Sequence, residues 1–169
     1  MSPRAPWTEA LHASLRDLRA RLADTGHLSL SGPTGPARLL LPLLLVDQPT
    51  LFVLPFERDV ETAAADLQFL ASEAAIPGTV LPFPAPGPPP YRGLPRHADA
   101  SLRRAAALHA AGRGARALLA SPAGLLRPSL PRPRFETRVL SLRVGDEMTP
   151  VILLEALDEA GYRREDPVT

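Results

Sequence analysis

The chain has 169 residues, 45% of them hydrophobic and 22% charged, with a formal net charge of +1. That is an ordinary globular composition, long enough for one domain and a small extra piece, and far from the charge of a strongly basic nucleic-acid binder. The lack of cysteine excludes disulfides, zinc–thiolate sites and a catalytic thiol. Lysine is absent too, so all 19 Lys/Arg positions are arginine, which excludes a phosphate-loop ammonium or a Schiff base. Met1 to Trp7 lack a signal-peptide pattern, and the richest apolar run, Leu39 to Val46, falls far below the ~18 residues of a membrane span. These features predict a cytoplasmic protein with no membrane contact.

Trp7, Leu11, Leu15, Leu18 and Leu22 recur at spacings of three and four, which predicts a helix ending near Gly26. His27 to Leu30 is read as a short strand, Ser31 to Pro36 as a Gly/Pro loop, and Ala37 to Val46 as an apolar helix. Thr50 to Leu54 is a buried strand. Glu57 to Ala75 is a surface helix with Val60, Ala64, Leu67 and Ala74 on one face. Thr79 to Leu81 is a further strand, and Pro82 to Pro95 is too proline-dense for regular structure. Ala98 to Ala111 is a helix closed by Gly112, followed by a strand over Ala115 to Ala120. Alternating strands and helices predict an α/β fold: a parallel sheet with helices on both faces.

The three prolines from Pro128 to Pro133 mark a boundary, dividing the chain into residues 1–130 and 131–169. Beyond it the pattern gives a strand over Glu136 to Val144, a turn at Gly145–Asp146, and a helix from Pro150 to Ala160. Thr149 is its N-cap, Pro150 its first residue and Gly161 its end, so the second piece reads as the start of a small α+β domain.

The segment Gly32-Pro-Thr-Gly-Pro-Ala-Arg-Leu39 stands where a phosphate loop would, between strand and helix. A working loop reads G-x-x-x-x-G-K-[ST]: backbone amides cradle phosphate, lysine meets the outer phosphates, and the hydroxyl holds magnesium. Gly32, Thr34 and Gly35 remain, but Ala37 replaces the second glycine, Arg38 the lysine and Leu39 the hydroxyl residue. Pro36 removes one backbone donor. The strand-end aspartate that such hydrolases use for magnesium is missing as well: Thr50–Leu54 runs into Pro55-Phe56, with Glu57 the nearest acid, and Ala115–Ala120 runs into Ser121-Pro122. The loop therefore reads as inactive, with no catalytic residue and no cofactor.

His12, His27, His97 and His109 share no metal-ligand spacing, so no metal site is expected. Asp158 and Glu159 face different sides of a helix, and Ser121 and Ser129 lack a nucleophile elbow and a base. The window from Arg92 to Arg143 holds eleven arginines against Asp99 and Glu136, with Arg92, Arg96, Arg103 and Arg104 as a possible basic surface for phosphates or an acidic partner. A nucleotide- or nucleic-acid-binding domain using Arg38 and this surface is the alternative to a non-catalytic module.

Several motifs in order point to one family: the decayed loop, Pro49-Thr-Leu-Phe-Val-Leu-Pro55, Asp66-Leu-Gln-Phe-Leu70, Val80-Leu-Pro-Phe-Pro-Ala85 leading to Pro89-Pro-Tyr91, and Ser101-Leu-Arg-Arg104. Ala117-Leu-Leu-Ala-Ser-Pro-Ala-Gly-Leu-Leu126, Leu142-Arg-Val-Gly-Asp146 and Leu153 to Tyr162 follow. From about Leu28 to Asp166 the chain resembles the N-terminal, UvrB-like module of the bacterial transcription-repair coupling factor, Mfd. The resemblance implies a degenerate P-loop NTPase, RecA-like domain similar to UvrB domain 1a over residues 1–130. The first part of a UvrA-interaction domain follows in 131–169. It also implies an inactive nucleotide site within a larger ATP-dependent DNA translocase that displaces stalled RNA polymerase and recruits UvrA. The implied partners are UvrA, the rest of the coupling factor, and RNA polymerase and DNA through the full-length protein. The family's UvrA contacts lie downstream of the match, so none is transferred, and the chain is expected to be part of a longer protein. UvrB's DNA-clamping aromatic hairpin has no counterpart in Pro82 to His97, which carries a single Tyr91.

Overall fold

The computed structural model describes residues 15–87 and 98–162. Three strands and seven α-helices alternate along them: α1 (Arg16–Thr25), α2 (Ala37–Leu45), β1 (Thr50–Val53), α3 (Val60–Glu73), β2 (Val80–Phe83), α4 (Ala98–Gly112), β3 (Ala117–Ala120), α5 (Pro122–Leu125), α6 (Arg132–Glu136) and α7 (Pro150–Glu159). A 3₁₀ turn at Glu57–Asp59 leads into α3. Two compact units result, up to Arg127 and from Pro128 onward.

The first unit is α/β. Its sheet is parallel, in the order β1-β3-β2, with Thr50 and Val80 both in register with Ala117. The chain moves outward from β1 to β2 and back from β2 to β3. Right-handed crossovers in opposite directions place their helices on opposite faces. Alternation along the strands then sorts the side chains. Phe52, Leu54, Val80, Ala117 and Leu119 pack with Leu39, Leu40, Leu43 and Leu44 of α2 and Val60, Ala64, Leu67 and Ala71 of α3. Phe83 and Ala120, with Leu81 and Leu118, pack on the other face against Ala107 and Leu108 of α4. That helix covers β2 and β3 but leaves Leu51 and Val53 of β1 53% and 56% exposed. Leu15 and Leu18 of the first apolar stripe join the main core, and Gly26 closes α1 in the left-handed conformation at φ +66°. Trp7 and Leu11 of the same stripe lie outside the described residues.

Three expectations need correction. His27 to Leu30 forms no strand. It has only two apolar residues to bury, and Thr25 bends the chain there, its Oγ1 donating to Arg21 O at 2.8 Å and accepting from His27 N at 3.3 Å. The phosphate-loop segment is therefore not preceded by a strand. Pro82 and Phe83, expected as irregular, are the second half of β2. Proline is tolerated there because β2 is an edge strand, paired on one side only; Pro89 to Pro95 lie outside the described residues.

The third correction concerns the second unit, which carries no strand among its described residues. Glu136 instead ends α6, paired with Arg132 across one helical turn at 2.7 Å. Leu140, Leu142 and Val144 stand exposed, because no neighbouring strand satisfies their backbone and covers them. Helix α7 follows expectation: Thr149 Oγ1 accepts from Ile152 N at 3.4 Å and Pro150 occupies the first turn. Neither α6 nor α7 has a buried residue.

Helix α3 ends in a Schellman turn, with Ile76 N donating to Ala71 O at 2.8 Å and Ala75 N to Ser72 O at 3.0 Å. The left-handed position falls on Ala75, at φ +54°, where glycine carries no Cβ penalty. Replacing Ala75→Gly is expected to raise the unfolding free energy by about 0.5–1 kcal/mol, the left-handed strain relieved less the entropy lost. Urea denaturation checks this, and an unchanged or lower midpoint contradicts it.

Candidate functional site

The Gly32–Leu39 segment turns the chain into α2. Gly32 and Gly35 adopt φ +106° and +55°, and a Cβ added to either would meet no atom within 4 Å. The glycines serve backbone curvature, with nothing packed close against them. Arg38 N donates to Gly35 O at 3.4 Å and Leu39 N to Pro36 O at 3.0 Å, so these amides are engaged inside the turn. Thr34, Ala37 and Arg38 are exposed. Leu39, at the position of the magnesium-binding hydroxyl, is only 6% exposed and belongs to the core. Arg38 has no ion-pair partner among the described residues.

Polar chemistry concentrates instead at the carboxyl ends of the strands, where open parallel sheets generally bind ligands. Glu57 follows β1, Pro84 and Ala85 follow β2, and Ser121 follows β3. Glu57 Oε1 accepts from Ala85 N at 2.6 Å, and Glu57 Oε2 accepts from the buried Ser121 hydroxyl. Ser121 Oγ in turn accepts from Gly124 N at 3.2 Å, capping the short helix α5. Arg104 reaches in from α4, its Nη1 donating to Pro84 O at 2.8 Å and Gly124 O at 3.0 Å. Its guanidinium stacks 3.9 Å above the centroid of Phe83. Burial lowers the Arg104 pKa from its ordinary value, and the charge of Glu57 opposes that shift. Both oxygens of Glu57 are taken up in joining strand ends, one of them by the Ser121 hydroxyl. The arrangement ties three strand ends together.

The opposite end of the sheet holds a second buried guanidinium. Arg116, 8% exposed, donates from Nη2 to Leu43 O at 2.7 Å and to Val46 O, and from Nη1 to Gln48 O. It thereby fastens the carbonyl end of α2 beside the start of β3. Gly78 permits this, since a Cβ there would lie 2.7 Å from Arg116 Cβ.

Of the four residues expected to form a basic surface, the two described ones are engaged within the protein. Arg104 is buried on carbonyl groups, because it shares a helix face with Ala107 and points into the sheet. Arg103 is divided between Glu61 at 2.6 Å and Asp99 at 2.9 Å, which raise its pKa. Arg92 and Arg96 lie outside the described residues, as do Tyr91, His12 and His97. No cluster of three potential metal ligands occurs among the described residues, and none of their helices is long and apolar enough to cross a membrane.

Sequence reasoning missed the structural roles of Glu57, Ser121, Arg104 and Arg116. A signal existed for Arg104: Ala100, Arg104, Ala107 and Ala111 recur at spacings of four, three and four, placing the arginine on the small-residue stripe of its helix. Arg116 is flanked by Ala115 and Ala117 and offers no such pattern.

Comparison with family models, with curated proteins and with solved structures finds no match to this chain.

The two guanidinium clamps make a specific demand, since lysine presents a point charge where arginine presents a planar fork. Arg104→Lys is expected to lower stability by about 2 kcal/mol through lost charge-assisted hydrogen bonds and ring stacking. Urea unfolding followed by circular dichroism measures it, and a loss within error would show that the fork is dispensable.

Proposed function

We propose that this chain is a non-catalytic module of a transcription-repair coupling factor. In that role it helps link stalled RNA polymerase to nucleotide excision repair, through UvrA recruitment and by restraining the translocase within the same protein. The observation that carries the non-catalytic part is Leu39. An apolar side chain occupies the hydroxyl position of the phosphate loop and is packed into the core, so regaining magnesium chemistry would require rebuilding the interior. The engagement of Glu57 with Ala85 and Ser121 supports the same reading. The coupling-factor part rests on the order of motifs along the sequence.

The reading predicts that calorimetric titration with ATP and magnesium gives no saturable heat. A micromolar dissociation constant overturns it. For the coupling role, a full-length factor lacking this module is expected to hydrolyse ATP faster and, because the UvrA-interaction domain that begins in residues 131–169 is left incomplete, to lose UvrA recruitment; unchanged values in both assays contradict the proposal.

A second reading has one observation in its favour: Arg38 is exposed and without an ion-pair partner among the described residues, so it is open to an anion. Under that reading phosphate binds and Arg38→Ala abolishes the binding. Unchanged phosphate affinity in the variant removes it, and DNA binding without salt dependence removes its nucleic-acid form.

A further inference from the structure

A cavity of about 550 Å³ opens at the amino-terminal end of the sheet, away from both the phosphate-loop segment and the strand-end ties. Its size is that of a small-molecule site. Leu43, Leu44, Ile76 and Pro77 give it apolar walls, and two arginines, Arg19 and Arg116, are among its lining residues. Arg19 donates from Nε to Leu44 O at 3.1 Å and also from Nη2 to the same oxygen, while Arg116 binds three carbonyls. Nη1 of Arg19 and Nε of Arg116 make no hydrogen bond among the described residues, and no carboxylate there comes within ion-pair distance of either group. Asp47 also lines the cavity and forms no ion pair with either.

The charge balance favours an anion. Two arginines line the cavity against one aspartate and the carbonyl end of α2, which is equivalent to about half a negative charge. The backbone around the opening is unusual as well. Ala75, whose φ is positive without its being glycine, lines the cavity, as do Gly78 and Gly114 at φ +103° and +87°. Nothing lies within 4 Å of a Cβ built on Gly114, so its backbone is open to an occupant. Of these three positions Ala75 is the strained one, and backbone strain beside a concave surface is a feature of binding sites.

We infer that this cavity binds a small organic anion, a carboxylate head on an apolar body, with Arg19 and Arg116 holding the head and Leu43, Ile76 and Pro77 the body. The inference is independent of the coupling-factor reading.

The probe is 2-naphthylacetate, with the neutral alcohol 2-naphthaleneethanol and inorganic phosphate as controls. Titration followed by amide chemical shifts is expected to give a dissociation constant of about 0.1–1 mM for the carboxylate, within reach of a ligand of this size. The shifts should centre on Gly78 and Gly114. The alcohol and phosphate should each bind at least about tenfold more weakly, because each lacks one half of the recognition. Arg19→Gln should weaken the carboxylate about fivefold, and Asp47→Asn should strengthen it about threefold by removing a competing charge. Both positions are outside the core, so folding is preserved and checked by the unperturbed spectrum. Equal binding of the alcohol, equal binding of phosphate, indifference to Arg19→Gln, absence of saturable binding, or shifts centred on the bare Leu51 and Val53 would each overturn the inference.

Discussion

Three parallel strands of four residues each form a ladder too short to hold a domain alone, and the tie across their carboxyl ends makes up the difference. Glu57 links the end of β1 to those of β2 and β3 through Ala85 and Ser121, and Arg104 binds Pro84 O and Gly124 O on the same side. Each buried backbone group in this region needs a partner, because leaving one unpaired costs about 1–3 kcal/mol. Side chains supply what a longer ladder would have supplied. The carboxyl ends of the strands are thus occupied by connections within the protein.

Arginine serves both ends of the sheet, and the guanidinium suits the task better than an ammonium would. It spreads one charge over several donors in a plane and is weakly hydrated, so burying it against carbonyls costs less. Arg116 uses this geometry to bind three carbonyls at the end of α2. A chain without lysine therefore loses no means of fastening buried carbonyls, and its arginines cannot be read from sequence alone as an electrostatic surface. Of the four residues expected to form such a surface, Arg103 is paired with acids and Arg104 is buried.

The elements legible in the sequence are those with internal signals. The leucine and alanine stripes located α2, α3 and α4, and Thr149-Pro150 located the start of α7, because each helix satisfies its own backbone and its pattern is local. The strands were legible where apolar runs are bounded by turns, as in Thr50–Val53. Where a strand depends on a neighbour, local pattern fails in both directions. His27–Leu30 and Glu136–Val144 have strand-like sequences and no pairing edge, while Pro82 has a strand-breaking residue and an edge position that tolerates it. The site was less legible than the fold. That the Gly32–Leu39 segment lacks magnesium-binding groups follows from residue identity alone. The strand-end network, in contrast, joins side chains far apart in sequence, and only the folded chain shows that Glu57 and Ser121 meet.

The strand order bears on how the protein is made. The middle strand, β3, is the last of the three to be synthesised, and β1 and β2 pair with it and not with each other. Until Ala117–Ala120 leaves the ribosome, neither earlier strand has a partner, and the helices between them have only half a core to pack on. Assembly must close two long loops in one late step, which slows folding relative to local contacts and leaves the apolar faces of α2 and α3 exposed during elongation. A pause or truncation before Ala117 would release a chain with most of its leucines in place and no sheet on which to bury them.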